Sequence, residues 1–168
     1  MRHAKSSWDN SEYSDFEQPL NEFGLKVAPF MGNIIYQYGF QPDLIVSSPA
    51  KRAKQTAVLI KAVAEVKSEI EFREELYGAR PTAFLEVSSN IDDIHKSILL
   101  IGHNPELENF IHKLTGEQQT MATGAIAVIN LNIEKWAEIS SDCGKLELVI
   151  RPQDLMERVE IEAPYQCV

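Results

Sequence analysis

The sequence predicts an α/β fold: three layers, α/β/α, with a mostly parallel central sheet and a C-terminal antiparallel hairpin. Three observations carry this. The apolar runs Leu44-Ile45-Val46 and Ile98-Leu99-Leu100-Ile101 have the length and composition of strands buried on both faces. Segments of helical period separate the strands, and such alternation builds a parallel sheet covered on both sides. Toward the C-terminus the chain changes character. Ala125 to Leu131, Trp136 to Ile139 and Leu146 to Ile150 read as strands joined by short turns.

Residues 6–19 (SSWDNSEYSDFEQP) are polar and turn-rich and read as a surface loop. Leu25, Ala28, Ile34, Ile35 and Tyr38 then recur loosely at helical spacing. Asn21 suits the N-cap and Gly39 the stop, while Pro29 is expected to kink or split this helix. Asp43 to Ser47 is a short buried strand between Pro42 and Pro49. The best helix lies at residues 50–66, alanine-rich, with Ala53, Ala57, Ile60 and Ala64 along one face. Glu69 to Phe72 alternates as a strand, and Pro81 opens a helix running to about Val87. Ser97 to Gly102 is expected to be a buried strand, and residues 106–115 a short helix stopped at Gly116. We expect one domain over residues 1–152 and an acidic tail over 153–168.

The chain has 168 residues, 44% of them apolar, enough for a sizeable core. No apolar run approaches the ~18–20 residues that span a bilayer, and no basic-headed leader is evident. Cys143 and Cys167 are too few for a disulfide framework and lack metal-ligand spacing. A cytoplasmic monomer without membrane contact is expected. The net charge of −9 argues against nucleic acid, whose binding depends on counterion release by Lys and Arg. Two basic clusters stand out, Arg2-His3 with Lys5, and Lys51-Arg52 with Lys54. Local positive charge on an acidic chain suits a small anionic ligand, although Lys5, Lys51 and Lys54 read equally well as solvated side chains.

Ligands of parallel sheets bind at the carboxyl ends of strands, which places chemistry just after Val46 and Ile101. Three segments deserve weight there: Arg2-His3-Ala4, Ser47 to Thr56, and Gly102-His103-Asn104-Pro105. A transferring phosphoryl group spreads charge over three oxygens, so its catalysis is mostly positioning and electrostatics. Arginine's rigid fork matches those oxygens. Arg52 stands in the first turn of the best helix, where unpaired N–H groups also favour an anion. A neutral imidazole is a competent nucleophile toward phosphorus. Singly each signal is weak: Ser47-Ser48 serves equally as turn chemistry, and His103 as a core or surface residue. Gly102 permits the close backbone approach of a pocket wall.

The same three segments, with RHAKSSW at 2–8, PLNEFG at 19–24, LYGA at 76–79, LTG at 114–116, TGA at 123–125 and Trp136, resemble the histidine phosphatase superfamily. This superfamily is phosphoglycerate mutase-like, and within it the sequence resembles the short SixA-type phosphohistidine phosphatases. The resemblance implies that His3 is the nucleophile that becomes phosphorylated. It implies that Arg2, Arg52 and His103 bind the phosphoryl oxygens, with Lys5, Ser6 and Asn104 at the rim. No metal and no cofactor is implied. His95 and His112 match no motif and read as surface or packing residues. Compact relatives carry no evident general acid, and Glu75 is the nearest local candidate here.

The implied substrate is phosphohistidine on a partner protein, a phosphotransfer domain for example. The alternatives are a small phosphomonoester, or a noncatalytic role in binding phosphate. The resemblance further implies about five apolar residues ahead of Arg2-His3, where only Met1 stands, so the first strand is expected to be truncated. Phe23, Gln18 and Glu106 also depart from the family pattern, and Glu106 suits the acid-favouring first turn of a helix.

Overall fold

The computed structural model describes residues 1–8, 11–78 and 80–156. Its elements follow the alternation expected: α1 (Glu22–Gln37), β1 (Leu44–Ser47), α2 (Lys51–Ala64), β2 (Glu69–Phe72), α3 (Ala83–Ser89), β3 (Ile98–Ile101), α4 (Glu106–Thr115), β4 (Ile126–Leu131) and β5 (Gly144–Ile150). The parallel sheet has the order β2-β1-β3, with Val46 opposite Glu71 and Leu100. β4 and β5 form the antiparallel hairpin, with a register shift between Val128 and Ile129. Central β1 is buried at every position, as a strand covered on both faces must be.

The two cores lie on opposite faces of the sheet. On one side α1 and α2 pack Val27, Met31, Ala57 and Ile60 against Ile45, Ile101 and Ile126. On the other, α3 and α4 pack Phe84, Leu107 and Ile111 against Leu44 and Val46. The alanine face of α2 works as read: Ala53, Ala57, Ile60 and Ala64 are all fully buried. Asn21 caps α1, its Oδ1 accepting from the N–H of Gly24 at 2.8 Å. Gly39 and Gly116, at φ 69° and 71°, end α1 and α4 in left-handed geometry.

Four expectations need correction. Pro29 does not split α1, which runs unbroken. The carbonyl it leaves without a helical donor belongs to Leu25, a residue on the exposed face of the helix at 47%. Trp136 to Ile139 is not a strand but a 3-10 turn at Trp136–Glu138. Trp136 is pinned there by distant partners, its N–H on Asp93 Oδ1 at 2.8 Å and its Nε1–H on the His95 carbonyl at 2.6 Å. β3 is not buried throughout: Ile101 is, whereas Ile98, Leu99 and Leu100 are only half-buried, because one edge of the strand faces a cavity. The segment at 6–19 is not all surface either, since Ser6 and Gln18 are buried. Residues 152–156 form a helical turn whose Leu155 and Met156 pack on the core; the remainder of the expected tail lies outside the described residues.

Residues 1–6 thread between these parts. Arg2 bridges to Gly102 in parallel, and Ser6 bridges to Leu20 in antiparallel fashion. Gly24 makes this possible, because a Cβ there would run into the Lys5 carbonyl. That obstacle is backbone, which cannot swing aside. Gly24→Ala is therefore expected to cost about 1–3 kcal/mol, measured as a lower urea midpoint at unchanged slope.

Candidate active site

The three predicted segments converge at the carboxyl ends of β1 and β3. Residues 1–3 reach this point through backbone bonds. His3 N–H donates to the Gly102 carbonyl at 3.1 Å, and Arg2 N–H to the Ala125 carbonyl at 3.1 Å. Ala4 N–H donates to Thr56 Oγ1 at 3.0 Å, and Thr56 Oγ1 donates to the Arg52 carbonyl at 2.7 Å. The first turns of α2 and the His3 backbone are thus fixed to each other. Gly102 lets the segment close over Phe84, because any Cβ would collide with that ring.

A pocket of about 340 Å³ opens here, lined by Arg2, His3, Lys5, Ser6, Trp8, Arg52, His103, Asn104 and Thr123. The structure thus brings together His3, Arg2, Arg52, His103, Ser6 and Asn104. It does not bring Glu75, which is exposed on the 3-10 turn at Glu74–Leu76 and is not among the lining residues. Glu106 likewise stands outside the lining, as the first residue of α4.

His3 is 6% exposed, and its Nδ1 lies 2.7 Å from the Ala4 carbonyl. A carbonyl only accepts, so Nδ1 carries the proton and Nε2 keeps the lone pair. His103 lies beside it, with ring centroids 5.0 Å apart. Its Nε2 meets Ser48 Oγ at 2.8 Å, and the same hydroxyl accepts from Ala50 N–H at 3.3 Å. Ser48 therefore serves both the turn and the site. Among the described residues, His103 Nδ1 and Arg2 Nε are buried without a partner. Both are groups that an anion's oxygens satisfy. Arg2 also donates from Nη1 to the Met121 carbonyl at 3.0 Å. Asn104 is held by Glu108 Oε1 at 2.6 Å and the Met121 carbonyl at 3.0 Å.

Two contributors were not legible in the sequence. Asp15 accepts from Arg52 Nη2 at 3.0 Å and from Tyr77 Oη at 2.9 Å, and its carbonyl accepts from Arg52 Nη1. Tyr77 in turn lies edge-on to Phe16 and His103. Asp15 sits in a loop without periodic pattern, 37 residues from Arg52 in sequence, and nothing local announces the contact. Burial alone would raise the Asp15 carboxyl. The hydrogen bonds from Arg52 and Tyr77 outweigh it and hold the group below the usual carboxylate range.

Burial, with the nearby guanidiniums, pulls His3 down to about 4. Burial and then His3 pull His103 down to about 3. Both imidazoles are therefore neutral near pH 7. Their basicity is lower in the folded protein than in an unfolded chain, where histidine titrates near ~6.5. As pH falls below that value the unfolded chain takes up protons that the folded site refuses, and stability drops until the folded values are reached. Replacing His103 by Gln is expected to shrink the loss of unfolding free energy between pH 7 and pH 5 by about 1–2 kcal/mol, read from urea curves at the two values.

A parallel α/β sheet that gathers two imidazoles and two guanidiniums at its strand ends has the architecture of a phosphatase. The comparisons agree. The sequence profile of the histidine phosphatase superfamily (branch 1) matches residues 1–123, and the chain belongs to that superfamily, within which it is of the SixA type. A candidate phosphohistidine phosphatase SixA from Agrobacterium tumefaciens superposes with a TM-score of 0.77 at 26% identity, covering 90% of this chain and 95% of its own. The protein histidine phosphatase SixA, solved as a complex with tungstate, gives 0.76 at 25% identity, covering 92% and 96%. An uncharacterized protein of Mycobacterium tuberculosis is 27% identical over 157 residues, covering 87% of this chain and 96% of the relative. No helix among the described residues is long and apolar enough to cross a membrane.

Proposed function

We propose that this chain hydrolyses phosphohistidine on a partner protein through a covalent phosphoenzyme on His3, and that residues 1–152 make up the catalytic unit. The observation that carries this reading is the 2.7 Å contact of His3 Nδ1 with the Ala4 carbonyl, which assigns the tautomer. With Nδ1–H given to the Ala4 carbonyl, the lone pair stands at Nε2, in a residue that lines the pocket between Arg2, Arg52 and His103. Nε2 attacks phosphorus, the P–N bond to the substrate imidazole breaks, and the departing imidazole takes a proton. Water then attacks the phospho-His3, releasing inorganic phosphate and regenerating the nucleophile. Arg2 and Arg52 hold the equatorial oxygens, and His103 donates Nδ1–H to one of them. These groups meet the phosphoryl charge themselves, so the scheme calls on no metal. An imidazole leaves readily once protonated, which lightens the need for a carboxylic acid at the place proposed for Glu75.

The SixA protein was solved as a complex with tungstate, a tetrahedral oxyanion, which is in keeping with an oxyanion pocket in this chain. The surroundings support a macromolecular substrate. Trp8 on the pocket lining is 64% exposed and Tyr13 42%, and exposed aromatics are favoured contact residues.

Incubation with a radiolabelled phosphohistidine-bearing phosphotransfer domain, followed by quenching, is expected to leave acid-labile label on His3. His3→Ala should carry none and turn over at least ~10³-fold more slowly. Label or turnover with sugar phosphates alone would replace the proposal with a phosphomonoesterase. Tight phosphate binding without either would leave a noncatalytic protein. Arg52→Lys is expected to lose about 10²–10³-fold in kcat, because a point charge does not reproduce the guanidinium fork.

A further inference from the structure

Residues 117–122 belong to no helix or strand, yet Met121 is part of the pocket's framework. Its carbonyl accepts from Arg2 Nη1 at 3.0 Å and from Asn104 Nδ2 at 3.0 Å. A carbonyl can aim a guanidinium only if it is itself held in place, and no regular element holds this one. The Met121 side chain is fully buried in the core that also contains Leu107 and Ala125. Its backbone N–H donates to Glu108 Oε1 at 2.7 Å, so a side chain supplies the partner that a strand or helix would otherwise give.

Glu108 stands in the first turn of α4, and the same Oε1 also accepts from Asn104 Nδ2 at 2.6 Å. Glu108, Asn104 and Met121 therefore close a triangle, from which the Arg2 guanidinium hangs. The triangle also sets the Asn104 amide: its nitrogen faces a carboxylate and a carbonyl, neither of which donates. Asn104 follows His103 directly, and the His103 carbonyl accepts from Leu107 N–H at 3.0 Å. One carboxylate on α4 thus ties the segment that bears His103 to the loop that holds Arg2. Glu108 does not line the pocket, so it acts on a ligand only through these neighbours. Its charge also reaches Arg2: burial pulls the guanidinium below its ordinary value, and Glu108 opposes that shift.

We propose that Glu108 is a positioning residue of the oxyanion pocket, fixing the Met121 carbonyl and the Asn104 amide so that Arg2 is aimed at the bound group. The inference rests on the reading of Arg2 as an oxyanion ligand. Arg2 Nε, buried without a partner among the described residues, is the donor that this arrangement keeps available. Without the Glu108 oxygen two N–H groups lose their acceptor, and the carbonyl that holds Nη1 is free to turn. Arg2 then regains rotamers that a preorganised site excludes. What matters is an acceptor oxygen at this reach. Glutamine provides one, and a side chain one carbon shorter does not.

Tungstate affinity, measured by calorimetry, and the nitrogen-15 signal of Arg2 Nε–H test this together, the signal being assigned by its loss in Arg2→Ala. Glu108→Ala and Glu108→Asp are expected to weaken tungstate binding at least ~10-fold and to broaden or shift the Arg2 signal. Glu108→Asp decides the matter if Glu108→Ala does not fold. Glu108→Gln should stay within ~3-fold of the parent and keep the signal, because its Oε1 accepts the same two bonds. Leu114→Ala, which loosens the packing of α4 in its last turn, should change neither readout. If Glu108→Gln loses as much as Glu108→Asp, charge and not placement is at work, and the proposal fails. It fails equally if Leu114→Ala weakens tungstate as much, since a general softening of α4 then explains the loss. Weaker binding in Arg2→Ala with none in the Ala and Asp variants of Glu108 overturns the inference alone. Undiminished binding in Arg2→Ala overturns the reading of Arg2 as an oxyanion ligand, and the inference with it.

Discussion

Residues 1–4 hold the molecule together at the place where chemistry is expected. Their backbone bonds run to Gly102 on one side, to Gly124 and Ala125 on another, and to Thr56 on α2. The three peptide groups between Met1 and Ala4 thus tie the parallel sheet, the hairpin and the best helix to a single point. His3 cannot shift without breaking contacts to all three. Its own ring is fixed in turn by Nδ1–H on the neighbouring Ala4 carbonyl. The position of the imidazole is therefore a consequence of main-chain pairing, with little left to side-chain freedom. Such preorganisation is what an electrostatically driven site requires, because no reorganisation is then needed during reaction.

Several features of the fold were legible because they depend on local pattern. The alanine face of α2, the Asn21 cap, the Gly116 stop and the aliphatic run of β1 each follow from period or capping chemistry within about fifteen residues. The convergence of Arg2-His3, Arg52 and His103 was legible for a different reason. A parallel sheet sends its strand ends to one edge, and each segment follows or accompanies a strand end. What failed was long-range. Trp136 became a 3-10 turn through partners 43 and 41 residues away. Asp15 and Tyr77 joined Arg52 across a loop with no periodicity. The expected full burial of β3 failed because burial depends on what lies across the strand edge, and composition reports only the strand itself.

The resting electrostatics of the pocket follow from its burial. Two neutral imidazoles and two guanidiniums leave a net positive site in a chain whose formal charge is −9. The contrast directs anions to one place and repels them elsewhere. Neutrality of His3 suits the nucleophilic role proposed for it, since a protonated imidazole has no lone pair to give to phosphorus. The same burial that keeps His3 neutral leaves His103 Nδ1 and Arg2 Nε without partners among the described residues. Unsatisfied buried groups of this kind cost about 1–3 kcal/mol each, and an oxyanion in the pocket removes that cost.

Asp15 completes the balance. Its carboxylate and carbonyl occupy both terminal nitrogens of Arg52, in the two-pronged manner that a phosphoryl group also uses. A side chain as buried as Arg52, at 6% exposure, would otherwise carry an uncompensated charge, and Asp15 supplies the compensation. Because Asp15 is itself largely exposed, at 47% of its side chain, water can solvate it when it lets go. The arginine cannot be solvated in the same way. On the proposed reading, exchange of carboxylate for phosphoryl oxygens would carry a desolvation cost mainly on the incoming ligand, and Arg52 would pass from one anion to another without being left bare. Asp15 thus acts as a counterion held at the pocket edge, and the main-chain pairing of residues 1–4 fixes His3 and Arg52 relative to each other.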